Sequence, residues 1–252
     1  MSQLKLNQQI QSLILEKDKA GKPYSDADKK LIAQYEGSGG QGSKGATGEG
    51  VLYEFYTPDY VCELMWKLAY RYGFKPTGTV LEPAMGNGKM LQFAPDQSKC
   101  YGFEINPIAK RIAQILYPDA KLNEGYFETA FLEPPRFSTK LKGKITWLPG
   151  YPFSLVIGNP PYGKYKNKYS SYFTRPKMHQ MELFFIYQGL QMLRSGGLLV
   201  YITGSNFMRN GISYQSEKAE LEKICDLLDA YRLPPVFNST SVPTDILILK
   251  RK

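Results

Sequence analysis

Val80-Leu81-Glu82-Pro83-Ala84-Met85-Gly86-Asn87-Gly88-Lys89-Met90-Leu91 decides the fold class of this 252-residue chain. It reads as a short apolar strand, a glycine turn and the start of a helix. Glycines at 86 and 88 let backbone approach a ligand closely. Position 91 is Leu, so the third glycine of a dinucleotide fingerprint is missing, which weakens a nicotinamide reading. Outward from this turn, strands and helices alternate. Residues 58–72 are predicted helical, with Pro58 in the first turn. A strand covers Gly102 to Ile105 and a helix 107–117. Leu155 to Gly158 is a strand, and 179–194 a helix capped by Ser195-Gly196-Gly197. A strand over Leu198 to Thr203, a helix over 216–229 and a strand over 245–250 complete the pattern. The predicted class is α/β, a doubly wound and mostly parallel sheet whose ligands bind beyond the carboxyl ends of its strands.

A second stretch, Leu155-Val156-Ile157-Gly158-Asn159-Pro160-Pro161-Tyr162-Gly163, ends its strand in an unusual way. Each proline fixes φ at about −65° and removes a backbone donor, so the turn is stiff and presents carbonyls. The residue before a proline is held extended, which ends the strand and aims Asn159 outward. An amide oxygen, a neighbouring carbonyl and a flat ring then share the carboxyl edge of a sheet. That group suits a planar heterocycle carrying an exocyclic NH₂. It also fits a proline-terminated strand under a tyrosine lid, and the tetrapeptide alone does not separate the two.

Composition narrows the classes. Lys plus Arg number 32 against 23 Asp plus Glu, a net charge of +9. Such an excess suits a polyanionic partner, although a basic solvated surface gives the same balance. Cys62, Cys100 and Cys225 lie far apart without a C-x-x-C pair, which argues against a disulfide framework or zinc knuckle and for a reducing compartment. His179 is the only histidine, so Ser-His-Asp chemistry and histidine metal sites have little material, and no metal is expected. No apolar run approaches the roughly 18 residues of a membrane span, and no signal-peptide h-region opens the chain. The expectation is a soluble, cytoplasmic protein with no membrane partner.

Residues 3–18 carry Leu4, Leu6, Ile10, Leu13 and Ile14 amid polar positions, the pattern of a short amphipathic helix. A second helix is predicted from Ser25-Asp26-Ala27-Asp28 to about Tyr35. Gly37 to Gly50 holds seven glycines in fourteen residues. It reads as a linker or mobile loop, since it lacks the Gly-Lys-Ser/Thr ending of a P-loop. The expected organisation is a helical arm and glycine-rich linker over 1–50, then one large domain over 51–252.

Two further features carry chemistry. Glu82 ends the first strand and Glu104 the second, where a carboxylate can accept hydrogen bonds from both ribose hydroxyls of a nucleoside; a solvated strand end is the plain alternative for Glu104. Directly after Tyr162, residues 163–177 hold Lys164, Lys166, Lys168, Arg175 and Lys177 interleaved with Tyr165, Tyr169, Tyr172 and Phe173, and no acid. Basic groups reach phosphates and rings stack on bases. A solvated charge run is the competing reading. Ser205-Asn206-Phe207-Met208-Arg209-Asn210 falls on the same sheet edge and has no assigned role.

Three elements in order, Phe55-Tyr56-Thr57-Pro58, then Glu82 to Gly88, then Asn159 to Tyr162, resemble the S-adenosylmethionine-dependent methyltransferases that act on DNA adenine N6, in their gamma arrangement. The similarity covers roughly residues 50–252. More narrowly, Tyr35-Glu36-Gly37-Ser38-Gly39-Gly40, Leu81 to Gly88 and Leu116-Tyr117-Pro118-Asp119-Ala120 resemble methylase domains of very large phage and conjugative-element proteins. The resemblance implies a Rossmann-like class I methyltransferase fold with S-adenosylmethionine as cofactor. Tyr56, Thr57 and Pro58 would line its methionine end, and Glu82, Ala84, Gly86 and Gly88 its main cradle. Glu104 would hold the ribose, with Ile105 beside it. Family members often carry an acid before a phenylalanine to bind the cofactor's adenine. Here Tyr126 precedes Phe127, so Phe127 is carried over as a stacking wall and the polar partner stays open.

The same resemblance implies the reaction. Asn159 Oδ1 and the Pro160 carbonyl would accept the two N6–H bonds of a flipped adenine, with Pro161 stiffening the turn and Tyr162 stacking on the base. Phe237, in Leu233-Pro234-Pro235-Val236-Phe237, either covers the other face or is an ordinary core residue. Lys164, Lys166, Lys168, Arg175 and Lys177 would grip DNA. No separate target-recognition domain is expected in the sequence, which implies either a short or degenerate recognition site, or a specificity subunit or additional domains of a larger protein as partners. The rival readings are methylation of RNA or of a protein glutamine amide, and a non-catalytic nucleic-acid-binding subunit that retains a cofactor pocket.

Overall fold

The structure is a computed structural model that describes residues 2–36, 56–133, 138–141, 148–204, 214–237 and 243–252. Phe55, the Gly37–Gly50 stretch and Ser205–Asn210 lie outside the described residues. Helix α1 (Gln3–Ala20) starts at Ser2 and stops at Gly21, whose φ of +62° is the left-handed cap a glycine permits. Helix α2 (Asp26–Ile32) opens on a capping box, in which Ser25 and Asp28 each accept the other's backbone N–H. Helix α3 (Asp59–Arg71) follows Pro58, which sits at the cap and accepts the Val61 and Cys62 N–H groups.

Then come β1 (Val80–Glu82), β2 (Cys100–Glu104), α4 (Pro107–Leu116) and β3 (Lys121–Glu124). A short antiparallel pair, β4 (Leu132–Glu133) and β5 (Ser138–Leu141), precedes β6 (Phe153–Gly158). Helix α5 (Met181–Met192), β7 (Leu193–Gly204), α6 (Gln215–Glu222), β8 (Cys225–Arg232) and β9 (Thr244–Arg251) complete the described chain.

The main sheet has the order β3-β2-β1-β6-β7-β9-β8. Its first five strands are parallel, and β9 enters antiparallel between β7 and β8. The central strands are buried on both faces, which is why Leu155-Val156-Ile157 and Leu198 to Ile202 are continuous apolar runs without alternation. One face packs Val156, Leu199, Tyr201 and Leu247 against α5 residues such as Phe184 and Ile186. The other packs Leu155, Ile157, Val200 and Ile246 with Val61, Met65 and Trp66 of α3. The chain order reverses between β1 and β6, so the switch point of this sheet lies between Glu82 and Asn159.

Three sequence expectations change. The helix expected after the glycine turn is a single 3₁₀ turn, Lys89–Phe93. Pro95 holds Ala94 extended, with ψ of 137°, and stops it. Helix α5 ends at Met192 and passes directly into β7, so Ser195-Gly196-Gly197 is a strand irregularity and not a helix cap. The helix over 216–229 ends at Glu222, and Cys225–Arg232 is an edge strand held by antiparallel pairing to β9. Pairing to a distant strand overrides local propensity there. Among the described residues, no helix is long and apolar enough to cross a membrane.

Candidate active site

The carboxyl ends of β1, β2 and β6 open on one cavity of about 970 Å³. One wall of it begins at β1. Glu82 is 4% exposed, and burial followed by the nearby Glu104 carboxylate pushes its pKa well above the ordinary range. The turn from Pro83 to Asn87 lines the cavity, Ala84 and Gly86 included. Gly86 has φ of +55°, and a Cβ there would stand 2.7 Å from the Tyr56 ring. Gly88, with φ of +79°, backs onto Tyr117 and does not line the cavity.

Glu104 stands at the end of β2 with both oxygens engaged by backbone. Oε2 accepts the Gly86 N–H at 2.8 Å and Oε1 accepts the Asn106 N–H at 2.7 Å. Each carboxylate oxygen offers two lone pairs, so these backbone bonds are compatible with accepting a hydroxyl as well. The carboxylate thus ties the glycine turn to the end of β2. Ile105, Tyr56 and Thr57 line the same wall, while Pro58 caps α3 outside it. Phe127 also lines the cavity. It is nearly buried, edge-on to Phe103 and Phe131 and tilted against Phe185, so it is a fixed wall and not an exposed platform.

The turn of Asn159, Pro160, Pro161 and Tyr162, at the end of the neighbouring strand β6, lines the same cavity. Gly158 precedes it at φ +155°, with the Glu82 side chain 3.4 Å from where a Cβ would sit. The Tyr162 hydroxyl donates to Asn159 Oδ1 at 2.7 Å. Burial, and then the Glu182 charge, raise the Tyr162 pKa, so the phenol remains a neutral donor. An amide oxygen accepts up to two donors, so this bond is compatible with a second one from a ligand. Beyond the turn, Gly163 is clamped to the start of α5: its N–H donates to Glu182 at 3.3 Å and its carbonyl accepts the Met181 N–H at 2.7 Å.

The basic, aromatic loop separates by residue type. Tyr165 stacks on Phe184 at 3.9 Å, and Phe173 is buried. Lys164, Lys166, Lys168, Arg175 and Lys177 carry their charges on the solvent side of the loop. Lys164 and Lys166 line the cavity mouth, while Lys168 sits over the Tyr126 ring, 4.9 Å from its centroid. Glu128, buried next to Phe127 at the cavity, accepts from the Tyr165 hydroxyl and the Asn167 amide, which roots the loop there. Arg175 and Lys177 are not cavity residues, and neither is Phe237, which is 8% exposed and packs in the core with Val236 and Leu233. Gln11, Tyr35, Glu128 and Asn167 also line the cavity, and no sequence pattern marks them as site residues. Only the phrase beginning at Tyr35 hints at one of them. Among the described residues, no cluster of His, Cys, Asp and Glu is arranged to hold a metal ion.

Residues 98–233 match the model of the Eco57I restriction-modification methylase family. The chain is 26% identical over 234 residues to defense against restriction protein B of Escherichia phage P1, covering 92% of this chain and 9% of that protein. It superposes on the type I restriction-modification methyltransferase subunit of Streptococcus thermophilus with a TM-score of 0.62 and 22% identity, over 90% of this chain and 49% of the other. A class I S-adenosylmethionine-dependent methyltransferase from Listeria monocytogenes gives 0.57 and 18%, over 77% and 60%. The chain therefore spans a small part of the phage relative and about half of the type I subunit. The sheet order is that of the class I methyltransferase fold, and since the family match spans more than half of the sequence, the chain belongs to the Eco57I restriction-modification methylases.

Proposed function

We propose that this chain transfers a methyl group from S-adenosylmethionine to the N6 amino group of an adenine drawn out of DNA. One observation carries the reading: the Glu104-bound glycine turn and the Asn159–Tyr162 turn, at the ends of the neighbouring strands β1 and β6, line a single cavity. The donor set fits the cofactor. Glu104 can accept from ribose hydroxyls as well as from backbone, and Gly86, without a Cβ, lets the Tyr56 ring close on the turn at the cavity. When bound, S-adenosylmethionine supplies a methyl group on a positively charged sulfur.

The residues of this chain would orient the acceptor. Adenine N6 is a weak nucleophile because its lone pair is delocalised into the ring. Asn159 Oδ1, already held by Tyr162, accepts one N6–H and the Pro160 carbonyl the other, which favours a pyramidal nitrogen. So oriented, the nitrogen lone pair would be free to take up the methyl group that bound S-adenosylmethionine supplies, and the surplus N6 proton would pass to water. Positioning and fixed dipoles supply the rate, with no histidine in the cavity wall. Lys164 and Lys166 at the mouth suit flanking phosphates. Sequence recognition is assigned to a partner subunit or to further domains, in keeping with the greater length of the relatives.

Mass spectrometry of nucleosides from DNA incubated with protein and S-adenosylmethionine tests the reading. N6-methyladenine is expected with the wild type and not with Asn159→Ala. Methyl incorporation into RNA or into a protein amide, with none in DNA, would replace it.

A further inference from the structure

We propose that the N-terminal helices are a working part of the cofactor site: Gln11 and Tyr35 close its wall beside Tyr56, and cofactor binding and docking of α1–α2 reinforce each other. The inference rests on the cofactor reading above and adds residues that lie upstream of the matched methylase region.

The geometry is specific. The side chain of Asn87, within the glycine turn and 2% exposed, donates to the Tyr35 backbone carbonyl at 2.9 Å. The turn that faces the cofactor is thereby bolted to the end of the arm. The Tyr35 ring lies tilted against Tyr56, with centroids 6.3 Å apart, and both rings line the cavity. Gln11 reaches the same wall from α1, its amide 3.4 Å from the Tyr35 hydroxyl. Asn7 fixes the chain just beyond Tyr35, donating to the Glu36 carbonyl at 2.6 Å and accepting its N–H at 3.3 Å. An amide and a phenol are neutral hydrogen-bonding groups, suited to the amino-acid and ribose portions of a zwitterionic nucleoside.

The arm is too short to hold itself together as a separate domain. It rests on α4 through one apolar cluster, in which Ile10, Ile14, Ile32 and Tyr35 meet Ile112 and Ile115, and through an ion pair between Asp18 and Arg111. A ligand that touches both the arm and the sheet edge must stabilise their contact, because it binds the docked state more tightly than the undocked one.

Titration calorimetry with S-adenosylhomocysteine, combined with hydrogen exchange on the whole chain, tests this. Gln11→Ala removes a half-buried amide and its bond to Tyr35 while leaving the Ile10, Ile14 and Ile32 side chains in place, and is expected to weaken binding roughly fivefold to tenfold. Tyr35→Phe, which keeps the ring and the backbone carbonyl, should weaken it less. The ligand should slow exchange of amides in α1 and α2 as well as at the glycine turn. If wild-type protein binds, Glu104→Ala binds poorly, yet Gln11→Ala binds normally and the helices gain no protection, the arm proposal is overturned while the cofactor reading stands. If wild-type protein does not bind, both fall.

Discussion

At the scale of single residues, the site is built from acceptors. The Tyr162 hydroxyl donates to Asn159 Oδ1, so the ring and the amide act as one unit. Two variants separate their contributions. Tyr162→Phe keeps the ring and releases the amide, and one net hydrogen bond of about 1 kcal/mol corresponds to roughly a fivefold fall in kcat. Tyr162→Ala also removes a stacking surface worth about 1–3 kcal/mol per base, which should appear mainly as a higher KM for DNA. Steady-state kinetics on one duplex separates the two, and equal effects on both parameters in both variants would refute a distinct stacking role. That Glu82, Glu104 and Asn159 meet at one cavity was readable from sequence, because the first two end parallel strands and Asn159 directly follows one, and the carboxyl ends of such strands converge. Gln11 was not, since nothing in an amphipathic helix tells which polar residue meets a cavity formed by residues far along the chain. Phe237 shows the converse limit: an aromatic after two prolines fits a base or a core, and here it is packed in the core.

At the scale of elements, the glycine turn and the loop after Tyr162 matter most. Gly86 is required twice, by its φ of +55° and by the Tyr56 ring 2.7 Å from a would-be Cβ. Gly86→Ala is expected to destabilise the protein by about 1–3 kcal/mol and to displace the N–H that Glu104 accepts. A thermal melt should show the effect, and unchanged stability with unchanged cofactor affinity would count against the tight approach. In the loop, aromatic rings such as Tyr165 and Phe173 face inward while the cations face solvent. Its expected use is binding to phosphates, with Lys164 and Lys166 nearest the cavity. Replacing both by Ala should weaken duplex binding and lower the slope of log K against log salt by about 2, close to 0.9 for each phosphate a lysine neutralises. An unaltered slope would exclude them from the interface. Elements with strong local signals, such as the Ser25 capping box, were legible. The edge strand Cys225–Arg232 was not, because its strand character comes from pairing with Thr244–Arg251 and not from its own residues.

At the scale of the whole molecule, the alternation of strands and helices was enough to give the sheet and the site edge, whereas the docking of the N-terminal helices onto α4 depends on surface matching that no local pattern encodes. The sheet also imposes a global cost that pH can reveal. Glu82 sits at its switch point, where burial and then the Glu104 charge raise its pKa well above the ordinary carboxylate range. Below that ordinary range both folded and unfolded chains hold the proton. As pH rises past it, the unfolded chain releases the proton first and binds fewer protons than the native state, so the slope of unfolding free energy with pH is negative. The ligand-free protein should therefore lose stability as pH climbs from the ordinary carboxylate range to the raised native value, and level off above it. Glu82→Gln, which imitates the protonated acid, should remove that decline. It should also weaken binding of a cationic cofactor, since the carboxylate that such a cation would favour can no longer form. Melting temperatures of both proteins across that window decide the matter: parallel curves for wild type and Glu82→Gln would mean that this buried acid does not titrate on unfolding as its burial requires.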